Sequence, residues 1–512
     1  MTQCIILTGG VELSPGAPLL QRSLGPYRVS SALEDAGYTT FVLDFLIHLS
    51  LEEIKAALAL HLGPDTMWVG FSSTFFFRQQ KSTDRKSNMY YTELLFITEI
   101  INFVRSHRTA KIVYGGANTP YGLADDQIDY YIMGYADVST VAFTNYLKHD
   151  DLSYLTKYET IQIGSEERLL IDSANFPDPA MDNISTQWWK PHYNVLPGEG
   201  LPVELARGCI FKCKFCSYQL LGKKKGTYLR PSEQVKDDLI RMWETKGVDT
   251  YYITDDTFND DNDKIEELHR IFTSLPFKPK FSCYLRIDLI NRYPHQADLL
   301  SEMGLVGNYF GLETMQPKSA TAIGKGLHPN KVKDRLYWLG EKWHMKVNMA
   351  AGFILGLPYD TKDYFKELYD WARETDNPLA LIDFYPLYLY NRTGTRRERL
   401  AAYSSEFSLH PEIYGYDFPQ DGVTENYMNW VLKDQDLTYD KCVQTANWYR
   451  HQMKFRNKFA EFQMITAMNI GISREDLHTM TIKEIMRKYP MEHLNSTKLQ
   501  EYKNIIGIGN IT

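Results

Sequence analysis

Three of the six cysteines of this 512-residue chain fall within eight positions, in "ARGCIFKCKFCSYQ" (206–219): Cys209, Cys213 and Cys216. The other three, Cys4, Cys283 and Cys442, stand singly. Cys-x3-Cys-x2-Cys is too compact for three bystander core residues. Soft thiolates at this spacing suit zinc or an iron–sulfur cluster. Structural zinc closes its shell with four ligands, and no fourth Cys or His follows within the next twenty residues; His269 and Cys283 come next. A zinc site would need a fourth ligand brought in by folding. An iron–sulfur cluster held by three cysteines has one iron without a protein ligand, open to a substrate or cofactor. The three lone cysteines read as small buried apolar residues.

The composition frames that chemistry. Lys and Arg number 56 against 64 Asp and Glu, a net charge of −8, so no global basic field recruits nucleic acid. The triplet Lys223, Lys224 and Lys225 reads as a solvated loop. No apolar run is long enough to span a membrane, and "MTQCIILTGG" has neither a basic n-region nor a cleavage site. A cytoplasmic, reducing compartment is expected, where clustered cysteines bind metal or do redox chemistry rather than pair.

The elements that must position these residues follow an α/β pattern. Residues 1–150 alternate apolar runs (4–10, 39–45, 66–74, 111–117, 129–135) with helical stretches near 26–36, 51–61, 90–107 and 138–148. In the third helix Leu94, Ile97, Ile101 and Val104 share a face. This predicts a doubly wound, Rossmann-like parallel sheet, with ligands beyond the carboxyl ends of its strands. Residues 151–200, rich in Pro, Asp and Gly at 175–183 and 195–200, read as a linker. From 201 to 395 six strand–helix units, with strands at 202–207, 250–256, 280–288, 307–314, 347–356 and 381–390, predict a partial (β/α)6 barrel with its site at the strands' C-terminal ends. Residues 396–512 read as a mostly helical region, with helices at 438–463 and 482–489.

"RGCIFKCKFC" resembles the cluster motif of the radical S-adenosylmethionine (SAM) enzymes. "GKKKGTYLRPSEQVKDDL" (222–239), "YYITDDTFNDD" (251–261), "CYLRIDLI" (283–290), "YFGLETMQPKSATAIGKG" (309–326) and "FILGLP" (353–358) follow in the order of that family's barrel strands. The N-terminal part resembles the cobalamin-binding domain preceding the barrel in one large class of the family. The resemblance is carried by "SLGPYRVSSALEDAGYTTFVLD" (23–44), "IVYGGANTPYG" (112–122) and "IDYYIMGYAD" (128–137). Two departures stand out. Gly134, Tyr135, Ala136 and Asp137 occupy the place of a usual Gly-Glu-Gly-Glu, and no Asp-x-His-x-x-Gly motif offers cobalt a histidine.

The resemblance implies a 4Fe–4S cluster on Cys209, Cys213 and Cys216, SAM on the open iron, and cobalamin. It implies contacts to SAM or substrate from Asp255 or Asp256, Arg286, Glu313 and Gly356, with Arg286 forking the SAM carboxylate and Gly356 admitting adenine. Thr8, Gly9, Gly10, Ser72, Ser73, Gly115, Gly116, Asn118 and Gly134 would line the cobalamin crevice. Phe211, Phe215 and Tyr218 would shield the cluster. Tyr385, Tyr388 and Tyr390 are placed to orient a substrate. Trp188 and Trp189 read as packing residues, and His192 beside them as no ligand. The implied activity is C-methylation of an unactivated carbon: one SAM recharges cobalamin to methylcobalamin, a second yields the 5′-deoxyadenosyl radical, and a flavodoxin- or ferredoxin-like protein supplies electrons. A radical cyclisation or rearrangement, or a noncatalytic metal-binding scaffold, are the alternatives. The substrate is not readable.

Overall fold

The computed structural model describes residues 2–9, 20–73, 94–107, 110–116, 127–163, 165–173, 176, 189–216, 228–389, 405–418, 430–432, 436–459 and 462–511. Gly10, Thr74, Asn118, Trp188, Tyr218, the Lys223–Lys225 triplet and Tyr390 lie outside them. The chain divides into two compact units. One comprises Met1–Pro202, Asp237–Val248 and Pro490–Thr512; the other comprises Val203–Lys236 and Asp249–Tyr489. Among the described residues no helix is long and apolar enough to cross a membrane.

The first unit is built on seven strands: β1 (Cys4–Leu7), β2 (Thr40–Leu43), β3 (Trp68–Ser72), β4 (Lys111–Gly116), β5 (Tyr130–Met133), β6 (Glu159–Ile163) and β7 (Glu166–Asp172). Four helices, α1 (Leu24–Asp35), α2 (Leu51–His61), α3 (Leu94–His107) and α4 (Asp137–His149), alternate with the first five. β1, "CIIL", is buried at every position, as befits a strand covered on both faces. Ser50 opens α2 with a reciprocal capping box to Glu53. The strand order is 2-1-3-4-5-7-6, and the first five strands run parallel. The order therefore reverses between β1 and β3, and a ligand crevice belongs beyond their C-terminal ends.

Two expectations are corrected here. Residues 151–200 are not simply a linker: β6 and β7 pair antiparallel, and β7 adds parallel to β5. Only Leu170, Ile171 and Asp172 of β7 are buried, so the pair sits at an edge and its hydrophobic signature is faint. The C-terminal region is also divided, because the helix Met491–Ile505 belongs with the first unit. There the Tyr502 hydroxyl accepts the Asp44 N–H at 2.9 Å, and Lys503 pairs with Glu53 at 2.6 Å.

The second unit carries a six-stranded sheet in chain order: β8 (Leu201–Val203), β9 (Thr250–Ile253), β10 (Lys280–Leu285), β11 (Leu305–Glu313), β12 (Asn348–Leu355) and β13 (Leu381–Pro386). The unit boundary runs through β8. The β9–β13 pairs are parallel, and β8 and β13 are not neighbours, so this is an open barrel sheet. Its connecting helices include α5 (Ser232–Lys246), α6 (Asn262–Thr273), α7 (Ile287–Arg292), α8 (Gln296–Met303), α9 (Pro317–Ala322), α10 (Pro329–Lys342) and α11 (Lys362–Ala372). Asp261, Gln316, His328 and Thr361 cap α6, α9, α10 and α11 through their side chains. Along β13 exposure alternates: Ile382 and Phe384 are buried while Asp383 and Tyr385 are half-buried. Phe384 stacks on Phe353 and meets Tyr449 of the helix Tyr439–Met453. The helix Tyr439–Met453 thus meets the Phe384 face of β13, and Asp383 and Tyr385 belong to the other face of the strand.

Candidate active site

The cysteine loop leaves β8 and is held along its length by backbone bonds. The N–H groups of Leu205 and Ala206 both donate to Asp255 Oδ1, at 2.8 and 2.9 Å. The Arg207 N–H donates to the Tyr228 carbonyl, and the Arg230 N–H to the Leu205 carbonyl. Gly208 turns at φ +84, a left-handed backbone that suits glycine. Further on, the Lys214 N–H donates to Ile323 O, and the Cys216 N–H closes a turn on Cys213 O. The three cysteines are reduced; Cys213 is buried, and Cys209 and Cys216 are half-buried. Cys209 Sγ lies 3.4 Å from Thr257 Oγ1. Burial pushes the Cys209 thiol up, against the Thr257 hydrogen bond; iron would reverse this by binding thiolate.

Arg286, at the end of β10, reaches the same loop. Its Nη1 donates to Cys213 Sγ at 3.4 Å, and its guanidinium lies 3.8 Å from the Phe211 ring centroid. Its other edge forks onto Asp288, at 3.0 and 2.7 Å. Arg286 thus joins Asp288 to the cysteine loop.

Asp255 is likewise a scaffold residue rather than a ligand-facing one. Oδ1 holds the two loop amides, and Oδ2 pairs with Lys264 at 3.1 Å. Lys264 also pairs with Asp260 at 3.1 Å, and all three groups are buried. Burial opposes the Lys264 charge, yet the two carboxylates outweigh it and hold its pKa above the usual lysine value. Both aspartates lie just past the end of β9, and Asp256 is the more exposed of the two. It is half-buried, and burial, with the charges of Asp255 and Glu204, pushes its carboxyl up to about 7. Glu204 itself is forked by Arg207 at 2.8 and 2.9 Å.

Glu313 ends β11 at φ +66, where the β11–β12 register shifts between Gly311 and Glu313. A left-handed glutamate costs on the order of 1 kcal/mol or more and tends to mark a functional site. Its carboxylate folds over Gly311, where a Cβ would stand 2.6 Å from Oε1. Lys325 is 3.8 Å away. Burial raises its pKa, opposed by the charges of Lys325 and Arg286. Gly356 follows β12 at φ +98, but the space its missing side chain leaves is taken by Trp430, 2.2 Å from an ideal Cβ. Its N–H donates to Asp360 and its carbonyl accepts from Tyr416. Gly356 is thus packed closely against an indole.

In the first unit the expected crevice residues converge. Thr8 is buried and its hydroxyl lies 2.9 Å from that of Ser23. The Thr8 and Gly9 carbonyls accept from Leu46 and Ile47. The Ser73 N–H donates to Gly115 O at 2.7 Å, and the Gly134 N–H to Gly116 O at 3.2 Å. Thr8, Gly9, Ser72, Ser73, Gly115, Gly116 and Gly134 therefore sit together at the C-terminal strand ends. Gly116, at φ +131, would bring a Cβ to 2.6 Å from Ser73 Oγ. Asp137 pairs with buried Arg28 at 2.9 Å. Trp189 donates to Pro202 O, and His192 contacts Glu34 through Nε2.

Sequence reasoning missed Asn259. Its side chain accepts the Arg286 N–H at 2.8 Å and donates to the Arg286 carbonyl at 3.0 Å, fixing the residue that touches Cys213. The only sequence signal was a polar residue within "TDDTFNDD". It also missed Lys264, whose place in a polar helix face gave no sign of burial.

Residues 203–372 match the sequence profile of the Radical SAM superfamily. An uncharacterized methyltransferase of Pyrococcus horikoshii, PH0819, is 28% identical over 217 residues, 39% of this chain and 44% of that protein. The chain thus spans less than half the length of that curated relative. Among solved structures, TsrM of Kitasatospora setae, a radical SAM methyltransferase with cobalamin and a 4Fe–4S cluster bound, superposes with a TM-score of 0.62 at 16% identity. The match covers 95% of this chain and 99% of that one. The cobalamin-dependent SAM radical enzyme OxsB with aqua-cobalamin superposes at 0.58 with 14% identity, over 98% and 72%. The shared fold and the cysteine loop define residues 203–372 as a radical SAM domain, which uses a 4Fe–4S cluster and SAM.

The residues present fit such a cluster. Three thiols on one loop, none of them in a disulfide, supply the soft donors, and a guanidinium donates to one of them. Among the described residues no three His, Cys, Asp or Glu groups converge on a single ion.

Proposed function

We propose that this protein is a cobalamin-dependent radical SAM methyltransferase that adds a methyl group to an unactivated carbon. The observation that carries this reading is the pairing, in one chain, of a 2-1-3-4-5 parallel sheet with a three-cysteine barrel loop, an arrangement that overlaps cobalamin-bearing TsrM over nearly its whole length. When bound, the cluster supplies the electron that breaks SAM, and cobalamin carries the methyl group.

The chain's own residues do the rest. Cys209, Cys213 and Cys216 would hold the cluster and leave one iron open to SAM. Arg286 donates to the Cys213 sulfur and, with Phe211 against it, keeps the loop closed to water. Glu313, turned inward by its strained backbone, offers acceptors to the SAM amino group or ribose. Thr8, Gly9, Ser72, Ser73, Gly115, Gly116 and Gly134 supply a flat, polar backbone ledge for the corrinoid and its tail. No histidine from an Asp-x-His-x-x-Gly motif serves cobalt. Residues 1–150 form the cobalamin-binding part, with β6 and β7 extending it, and 201–395 the catalytic barrel. The reaction runs in a reducing cytoplasm with a flavodoxin- or ferredoxin-like donor.

Anaerobic reconstitution with iron, sulfide, cobalamin and SAM tests the reading. Wild-type protein should hold about four irons and release 5′-deoxyadenosine. Cys209→Ala, Cys213→Ala and Cys216→Ala should each lose the cluster's absorbance and fall to background. Undiminished SAM cleavage in any of the three, or zinc in place of iron, overturns it.

A further inference from the structure

A closed barrel fills its interior with branched aliphatic side chains. The open sheet of the second unit does not. By register Tyr252 of β9, Tyr284 of β10, Tyr309 of β11, and Asp383 and Tyr385 of β13 share one face of the sheet, and each is half-buried. The residues between them in sequence are buried. The phenols form a row: ring centroids lie 6.4 Å apart for Tyr252 and Tyr284, and 5.5 Å apart for Tyr284 and Tyr309. The row continues because β12 carries Gly352 at the next position. An ideal Cβ there would lie 2.0 Å from the Tyr309 hydroxyl, so only a glycine lets that phenol extend across β12. Gly352 is in register with Asp383.

Asp383 closes the row with charge. Its Oδ1 accepts the Phe384 N–H at 2.8 Å, and its Oδ2 accepts the Tyr385 hydroxyl at 2.5 Å. Each oxygen keeps acceptor capacity. Among the described residues the cations at the mouth are committed: Arg286 to Asp288, and Lys325 to Gly311 O and Glu313. Arg450 lies 5.6 Å from the Tyr385 ring centroid, and its charge, with the Tyr385 hydroxyl, opposes the burial that pushes the Asp383 carboxyl up. Among the described residues the face therefore offers aromatic π faces and a carboxylate, and no phosphate-binding cluster of cations or helix amides. Aromatic faces attract flat rings and cations, and a carboxylate selects an ammonium.

Resting on the proposed radical SAM reading, we infer that the methyl acceptor is a protonated organic amine with a flat, unsaturated body. That body lies along Tyr252, Tyr284 and Tyr309, and its nitrogen meets Asp383. Phosphorylated and carboxylate-dominated substrates are disfavoured at this site.

The test uses the full chain reconstituted with cluster, cobalamin and SAM, and two probes differing in charge, 2-naphthylethylamine and 2-naphthylacetate. Binding is followed by equilibrium dialysis. The amine should bind at least about ten-fold more tightly than the acid, as one charge-assisted hydrogen bond warrants. Asp383→Asn should bring the two to parity, and Tyr284→Leu should weaken both several-fold. Thermal unfolding of each variant identifies a folding failure, and in that event the wild-type ratio alone decides. Equal or tighter binding of the acid, an amine preference that survives Asp383→Asn, or no binding of either probe overturns the inference. The 5′-deoxyadenosine assay runs in parallel. SAM cleavage without amine preference sinks this inference alone, whereas amine preference without SAM cleavage sinks the radical SAM reading.

Discussion

At the strand ends of the first unit, Gly115, Gly116 and Gly134 give up side chains, and their backbone groups bond one another and Ser73. At the strand ends of the second unit stand Asp255, Arg286 and Glu313, each charged, and Asp255 and Arg286 are already matched by partners in the same unit. A surface made of backbone suits a large, flat, weakly charged ligand, because nothing must be desolvated but amides and hydroxyls. A surface made of buried ions suits an iron cluster and a sulfonium, since fixed charges do not reorganise during reaction. The cost falls in different places: in the chain entropy of the glycines for the first unit, and in desolvation and the left-handed backbone of Glu313 for the second.

The sharpest break of this contrast is Lys264→Met. It leaves Asp255 and Asp260 buried without their cation, and unpairing a buried ion costs about 3–5 kcal/mol. Denaturant unfolding should show the loss, with weaker iron retention because Asp255 holds the cysteine loop.

Asp360 supplies the next test. Burial pushes it up to about 7 from the ordinary 3.8. The Ser319 hydroxyl faces both Asp360 Oδ1 and the Pro358 carbonyl, and a proton on Asp360 lets both contacts be hydrogen bonds. Between pH 4 and 7 the folded chain keeps a proton that the unfolded chain has released, so stability falls as pH rises through that window. Asp360→Asn mimics the protonated acid. It should match wild type near pH 4 and exceed it by up to about 4 kcal/mol at pH 8, measured by unfolding at both pH values.

In the first unit the sensitive change is Gly116→Ala. At φ +131 and against Ser73 Oγ it should cost about 1–3 kcal/mol and weaken cobalamin uptake, while iron content stays at the wild-type level. An Asp137→Asn change nearby should leave cobalamin uptake intact if the ledge is made of backbone. The mildest effect is expected from Arg286→Met. Loss of the Cys213 contact should make the cluster midpoint more negative by about 60 mV if about 1.4 kcal/mol of hydrogen bonding is lost. Redox titration monitored by EPR reads the shift.

Local pattern was a good guide where one element decides. Apolar runs located β1–β5 and β8–β13, and cysteine spacing located the cluster loop, because strand burial and metal ligation act over a few residues. The pattern was a poor guide where a partner lies far along the chain. Asp255, Arg286 and Gly356 were rightly placed at strand ends, yet Lys264, Asp288 and Trp430 claimed them. β6 and β7 bury too little to declare themselves.

Taken alone, the amino-acid order determined the α/β class, the order of the strands along the chain, and a thiolate trio one ligand short of closure. Periodicity and ligand spacing are local and need no neighbours. Only the tertiary structure decided which of two adjacent aspartates turns inward, that an arginine touches a cysteine sulfur, and that a glycine lets a phenol cross to Asp383. Those outcomes depend on register between strands and on competition for a few buried hydrogen bonds, and neither is written in any single segment.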